Sequence, residues 1–210
     1  MKVRTAPMFP LGTVLFPHAV LPLHIFEPRY RAMTRDVLAG DQEFGVVLIE
    51  RGSEVGGGDV RFEVGTMAHV VQASELPDGR FALAVVGVQR FRVQRWLPDE
   101  PYPRAEVVEL TEPPVSAPDT AMVDVVLDEL QRVLMLAARL QGLDDAPVAR
   151  VSPDPEQAAF EVAAIAKLGP LDAQRVLELP DTGARLVALR ELLVDAAAVF
   201  RAGLGESGEA

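Results

Sequence analysis

Two hydrophobic rhythms divide the chain. Through residue 111 the apolar positions come in short runs or alternate with polar ones, the pattern of strands; from about residue 119 they recur every three or four residues, the pattern of amphipathic helices. In the first part "VLPLHIF" (20–26) predicts a strand. "FGVVLIE" (44–50) is an unbroken apolar run, as expected of a strand buried on both faces. "GTMAHVVQA" (65–73) and "RFALAVVGVQRFRVQRWL" (80–97) flank Pro77-Asp78-Gly79, a turn signal, and predict a hairpin. In the second of these, Gly87 is expected to mark a bulge or bend in a long curving strand. Arg90, Arg92 and Gln94 share one parity there, and Phe81, Leu83, Val85, Phe91 and Val93 the other. "PRAEVVEL" (103–110) predicts a last strand.

In the second part Val123, Val126, Leu127, Leu130, Val133, Leu134 and Ala137 form one face of a long helix that closes near Gly142. Asp154-Pro155-Glu156-Gln157 reads as an N-cap, a proline at the first helical position and a capping-box glutamine. Gly169-Pro170 stops that helix. A short helix follows from Asp172 to before Pro180, and Asp181 caps the last, with Leu186, Leu189, Leu193, Ala196, Ala197 and Phe200 on one face. The expectation is an α+β fold: a β-domain over 1–112 with one short helix, a linker at 113–118, an all-α helical subdomain over 119–203 and a flexible tail at 204–210.

Charge then narrows the partners. Of a net −11, residues 1–112 carry 12 Lys/Arg against 15 Asp/Glu (−3), and residues 113–210 carry 8 against 16 (−8). Neither half has the basic excess that a phosphate backbone attracts, so nucleic acid is disfavoured, as is an anionic membrane. With no cysteine, disulfides and Cys-ligated metals are excluded, in keeping with a reducing compartment. Pro7 and Pro10 interrupt any signal-peptide core, and no stretch approaches the ~18 apolar residues of a membrane span, so a cytoplasmic location is expected.

The segment "IFEPRY" (25–30) is read as a strand-to-helix joint. Pro28 suits the first helical position, and Glu27 places negative charge at the helix N-terminus. Tyr30, Met33 and Val37 continue the buried stripe, with Gly40 at the end. Phe26, Glu27, Pro28, Arg29 and Tyr30 thus carry a structural role.

These residues also carry a family likeness. "FPLGTVLFPHAVLPLHIFEPRYRAM" (9–33) resembles the opening signature of the Lon protease N-terminal domain, with its Pro-Leu, Leu-Phe-Pro and Pro-Leu-x-Ile-Phe-Glu-x-Arg-Tyr. "VGTMAHV" (64–70), "DGRFALAVVGVQRFRV" (78–93) and "LGPLDAQRVLELPDTGARL" (168–186) resemble later blocks of that domain, so the likeness covers about residues 5–200. It implies a PUA-like antiparallel β pseudo-barrel followed by a helical bundle, and a role in recognising substrate polypeptides without catalytic residues of its own. Partners would be polypeptide substrates, or a protease or chaperone for which the chain acts as adaptor. The alternative is a PUA-like small-ligand or RNA binder. Oligomeric state is left open.

The chemistry of an enzyme is missing. A Walker A motif needs Gly-Lys-Ser/Thr, and neither Lys2 nor Lys167 follows a glycine. No serine is spaced to make a peptidase dyad with Lys167. His18, His24 and His69 lack the acidic or histidine neighbours of a zinc site. Asp99-Glu100 and Asp144-Asp145 read as solvated turns, and "GSEVGGGDV" (52–60) as a flexible loop without the lysine of a phosphate cradle. No cofactor and no metal are expected. Binding is placed instead in "MFPLGTVLFPHAVLP" (8–22), where Phe9, Leu11, Val14, Leu15 and Phe16 lie among prolines that keep the segment from regular ladder pairing. Some of these side chains are expected at the surface as a protein-binding patch; the alternative is that all of them plug the barrel end. The junction of the two halves and a free sheet edge are further candidates.

Overall fold

The structure is a computed structural model that describes residues 3–52 and 60–205. Most of the expected glycine-rich loop, and the end of the expected tail, lie outside the described residues. Strands β1 (Val3–Leu11) and β2 (Val20–Ile25) come first, then helix α1 (Pro28–Ala39). Next are β3 (Glu43–Arg51), β4 (Val60–Glu75), β5 (Phe81–Leu97) and β6 (Arg104–Glu109). Helices α2 (Ala117–Leu140), α3 (Pro155–Ile165), α4 (Pro170–Glu178) and α5 (Thr182–Gly203) complete the chain. The class is α+β, as expected.

Two compact units form: Met1–Thr111 with Gly169–Glu178, and Glu112–Leu168 with Leu179–Ala210. The first differs from the expected β-domain by taking in α4, which sequence period alone had assigned to the helical subdomain.

In the β unit the sheet runs β2-β5-β4-β3-β1-β6, and a further β5–β6 pairing closes the last five strands into a pseudo-barrel. The expectation of an antiparallel sheet needs one correction. β1 and β3 are parallel, Met8 facing Gly45 and Leu11 facing Leu48. The excursion through β2 and α1 returns the chain in its original direction, as a parallel pair requires. β1 also contradicts the expectation that proline would keep this region out of ladders. The Met8 amide donates to the Pro103 carbonyl at 2.8 Å, which turns the amide positions of residues 8 and 10 toward β6 and those of 7 and 9 toward β3. Pairing to β6 covers residues 3–7 and pairing to β3 begins at 8. Pro7 and Pro10 therefore lack a donor only where no strand waits for one.

Two cores lie on opposite faces of the same strands. Ala6, Met8, Val47, Met67, Phe91, Val93, Ala105 and Val107 form one cluster. Phe9, Leu11, Leu15, Ile25, Phe44, Val46, Val70, Phe81, Leu83 and Val85 form the other, together with Tyr30, Met33 and Val37 of α1. This is why Phe44 through Leu48 are buried without interruption. β5 serves both cores because its register slips between the partners of Met67 (Gln89) and Ala68 (Gly87), leaving Val88 as a bulge residue. That is the irregularity Gly87 predicted.

Tyr102 is buried on the α1 side and its hydroxyl donates to Asp36 Oδ2 at 2.8 Å. Burial first, and the Asp36 carboxylate second, push the phenol up from 10.0 to about 12. A raised folded pKa means that the stabilisation is complete below about pH 10 and is lost as pH rises toward 12. Tyr102→Phe is expected to be about 0.5–1.5 kcal/mol less stable at neutral pH, because one hydrogen bond is lost while the exposed Asp36 carboxylate is left to water. It should also lack the fall in stability between pH 10 and 12, as followed by urea denaturation over that range.

Helix α4 is fixed to the strands by buried polar contacts. Gln174 Nε2 donates to the Val64 carbonyl at 3.0 Å. The buried Arg90 guanidinium donates to the Leu177 carbonyl in the last turn of α4, where carbonyls lack helical partners and the helix dipole favours a cation. Arg90 and Arg92 thus make no common surface: Arg92 is exposed, 3.9 Å from Glu63.

The helical unit consists of α2, α3 and α5, each started by a side-chain cap. Ser116 and Asp119 cap α2 reciprocally, so the expected linker ends in a cap and a first helical turn. Asp154 accepts from the Gln157 amide at 2.9 Å, and Asp181 from the Ala184 amide at 2.8 Å. α2 and α5 run parallel: a Cβ on Gly183 would lie 2.5 Å from Asp119 Oδ1, and one on Gly203 would lie 3.3 Å from Leu140 Cδ2. Between these contacts Arg185 is fully buried, its guanidinium 4.4 Å from the Phe160 ring and donating to Glu112.

Candidate polypeptide-binding surface

β2 is the outermost strand of the sheet and pairs only with β5 among the described strands. Its position is set at the preceding loop. His18, at a φ of 65°, donates its amide to the Gly87 carbonyl at 2.8 Å, and the Gly87 amide donates to the Ala19 carbonyl at 2.9 Å. The loop can approach so closely because residue 87 has no side chain: a Cβ there would stand 2.2 Å from the Phe16 carbonyl oxygen. The Ala19–Gly87 bond also fixes the alternation. Leu21, Leu23 and Ile25 turn their backbone groups to β5, while Val20, Pro22 and His24 turn theirs to the open edge.

The side chains alternate too. Leu21, Leu23 and Ile25 point to the core shared with α1. Val20, Pro22, His24 and the next residue, Phe26, all lie on the other face and all are exposed, Val20 at 67% and Phe26 at 52%. The ladder extends this face across β5 to β4 in three rungs: Val20–Val86–His69, Pro22–Ala84–Gln72 and His24–Ala82–Ser74. None of the nine is Asp, Glu, Lys or Arg, in a chain with 24% charged residues. Val71, the extra residue of a second bulge, adds an exposed apolar side chain beside the middle rung.

A cavity of about 170 Å³ lies along the end of β2. Phe9, Leu11, Leu23, Ile25, Phe26 and Tyr30 line it, with Glu27 at its side. It brings together residues from both segments singled out by sequence. Phe9 and Tyr30 meet edge to face at 4.4 Å, and Arg29 lies over the Tyr30 ring at 4.5 Å while pairing with Glu27 at 3.1 Å. Glu27 occupies the N-cap position of α1 and Pro28 the first turn, as a joint requires.

The expected apolar patch at 8–22 is mostly interior. Phe9, Leu11, Leu15 and Phe16 are buried and only Val14 is partly exposed. They belong to a strand and a loop whose apolar side chains are interior, closer to the alternative reading than to a surface patch. The exposed apolar residues lie a few positions later. Their signal is partly present in the sequence: Val20, Pro22 and Phe26 are apolar at the parity opposite Leu21, Leu23 and Ile25. Ala82, Ala84 and Val86 could not be assigned to an open face before the register was known.

A larger open groove of about 600 Å³ lies in the helical unit between Thr120, Val123, Asp124 and Leu127 of α2 and the irregular segment Ala149–Ser152. Asp124 and Arg150 place opposite charges on it, where the rungs of β2, β5 and β4 carry no Asp, Glu, Lys or Arg. No group of three or more potential metal ligands gathers among the described residues. No described helix is long and apolar enough to cross a membrane.

A family model described as the ATP-dependent protease La (LON) substrate-binding domain matches residues 5–195. The chain belongs to the LON substrate-binding domain family. This LON domain is 33% identical over 195 residues to Lon protease 2 of Herpetosiphon aurantiacus, a match covering 89% of this chain and 23% of the relative. It is 31% identical to Lon protease 2 of Myxococcus xanthus, with 90% and 23% covered. The chain thus spans less than a quarter of the length of these relatives. Among solved structures, a Lon N-terminal domain protein from Xanthomonas campestris superposes with a TM-score of 0.64 at 25% identity, covering 91% of this chain and 98% of that one. The N-terminal domain of Mycobacterium avium complex Lon protease has the same fold, with a TM-score of 0.67 at 20% identity and 93% and 98% covered. Membership makes the LON domain a substrate-recognition module.

Proposed function

We propose that the chain binds polypeptides without catalysing their cleavage, and that it serves as a recognition module or adaptor for a protease or chaperone. The observation that carries this reading is the part-exposed face of β2, β5 and β4, on which Val20, Pro22, Ala82, Ala84 and Val86 are apolar and no rung residue is Asp, Glu, Lys or Arg, ending at Phe26. Apolar surface left in water on a well-packed unit favours association with apolar segments of another chain, and lack of charge removes the desolvation penalty that a charged face would add. The cavity beside Phe26 then accepts one apolar side chain as an anchor. The RNA alternative loses one of its candidate contacts, because Arg90 is buried against α4.

The test is titration of a fluorophore-labelled, carboxymethylated and permanently unfolded protein. The parent chain is expected to bind it, and a Val20→Glu, Phe26→Ser variant to bind about tenfold or more weakly, a loss of ~1.4 kcal/mol or more. Both positions are more than half exposed, so the variant should keep its thermal midpoint. Equal affinity for the two proteins, or no binding by the parent, would overturn the proposal.

A further inference from the structure

We infer that the groove of the helical unit is a second binding site, one that takes a short zwitterionic peptide with apolar side chains, its ammonium on Asp124 and its carboxylate on Arg150. This goes beyond the polypeptide-binding face of β2, β5 and β4 and does not rest on it. Two opposite charges line the groove, Asp124 on α2 and Arg150 on the facing segment. Both are exposed, and among the described residues neither makes a hydrogen bond or an ion pair. They therefore stand farther apart than the ~4 Å of an ion pair and do not neutralise each other. Between them the lining is apolar: Val123 and Leu127 of α2, with Val151, Pro153 and Pro155 opposite. A ligand with a single charge would satisfy one wall and leave the other charge facing it unpaired. A ligand with an ammonium and a carboxylate satisfies both at once, and its apolar side chains cover the lining between them.

The dimensions set the length of the ligand. Thr120, Val123, Asp124 and Leu127 form one stripe of α2, about 10 Å of helix from end to end. Three residues of extended chain also span about 10 Å. The volume of about 600 Å³ lies in the range of small-ligand pockets. The irregular wall is held in place before any ligand arrives. Gln131, one turn beyond Leu127, donates Nε2 to the Pro147 carbonyl at 3.3 Å and accepts from the Ala149 amide at 3.1 Å. Glu161 of α3 accepts from the Ser152 amide at 2.6 Å. The Ser152 hydroxyl accepts from the amide of Asp154, the cap of α3, at 3.2 Å. Side chains thus give a loop without strand partners a single course, so little backbone entropy is lost when the groove fills. Short zwitterionic peptides are what hydrolysis of peptide bonds releases, so proteolysis is the class of reaction that supplies this ligand.

The probe is the tripeptide Val-Leu-Val, titrated by isothermal calorimetry into the full chain at low salt, with its N-acetyl and C-amide forms alongside. The uncapped tripeptide is expected to bind about fivefold or more tightly than either capped form. In Asp124→Asn the acetyl cap should cease to matter, and in Arg150→Gln the amide cap. Each variant should keep the thermal midpoint of the parent, because both side chains are exposed. Capped forms that bind the parent as tightly as the uncapped one would overturn the inference, as would cap effects that survive in the matching variant, or no binding at all. So would equal affinity for a long unstructured peptide ending in the same three residues, because it brings a carboxylate with no ammonium nearby. The Val20→Glu, Phe26→Ser variant should bind the tripeptide as the parent does. If that variant loses the tripeptide, the groove fails and the ligand belongs to the sheet face. If the parent fails to bind the unfolded protein but binds the tripeptide with both cap effects, the groove stands and the sheet-face reading fails.

Discussion

Replacing Glu112 with alanine is expected to destabilise the helical unit by about 3–5 kcal/mol, the range for breaking one side of a buried ion pair. Glu112 faces Arg185, which is fully buried and lies over the Phe160 ring. An arginine cannot shed its proton to escape burial, so removing the carboxylate leaves a cation inside the unit with the ring face and the Leu179 carbonyl, 3.4 Å away, near it. Urea denaturation monitored by circular dichroism should show the midpoint falling with little change in slope. The second arm of the experiment separates the pair from its surroundings. In a Glu112→Ala, Arg185→Met double variant no charge remains to be stranded, and most of the lost stability should return. A single variant as stable as the parent would show that Arg185 does not depend on Glu112.

Gly87→Ala is expected to lose about 3 kcal/mol, the upper end of what overpacking a core does. The new methyl would meet the carbonyl oxygen of Phe16 at 2.2 Å and its carbon at 2.9 Å, both backbone atoms that no rotamer change can move. The loop before β2 must shift, so the exposed Val20 face should lose ligand as well as stability. Gly142→Ala provides the comparison. Its φ is 71°, but a Cβ there has nothing within 4 Å, so only the strain of the left-handed conformation, about 1–2 kcal/mol, is added. Thermal denaturation of the two variants should rank them in that order; Gly142→Ala matching or exceeding Gly87→Ala would remove the close approach as the cause.

The elements were legible wherever one local signal sufficed. The 3.6-residue stripes, the caps at Asp154 and Asp181, the turn at Gly79 and the bulge at Gly87 all follow from neighbours within a few positions. What stayed hidden depends on long-range pairing. Pro7 and Pro10 argue against a strand until it is known that β6 covers one part of β1 and β3 the other. Arg90 on a strand looks like surface charge until Leu177, far along the chain, supplies a carbonyl. The site shows the same division. The Phe26–Tyr30 joint could be placed on sequence, but which apolar residues remain in water depends on a register that brings Ala82 and Ala84 beside Pro22 and His24.

The helix that Arg90 and Gln174 hold has a consequence for the order in which the molecule can be made. A nascent chain emerges from its N-terminus, and contiguous domains commonly fold as they appear. Here the strands are finished at Glu109, yet the Val64 carbonyl and the Arg90 guanidinium must wait for Gln174 and Leu177. Most of the helical unit leaves the ribosome in that interval, so its α2 and α3 are synthesised before the barrel can close its account with α4.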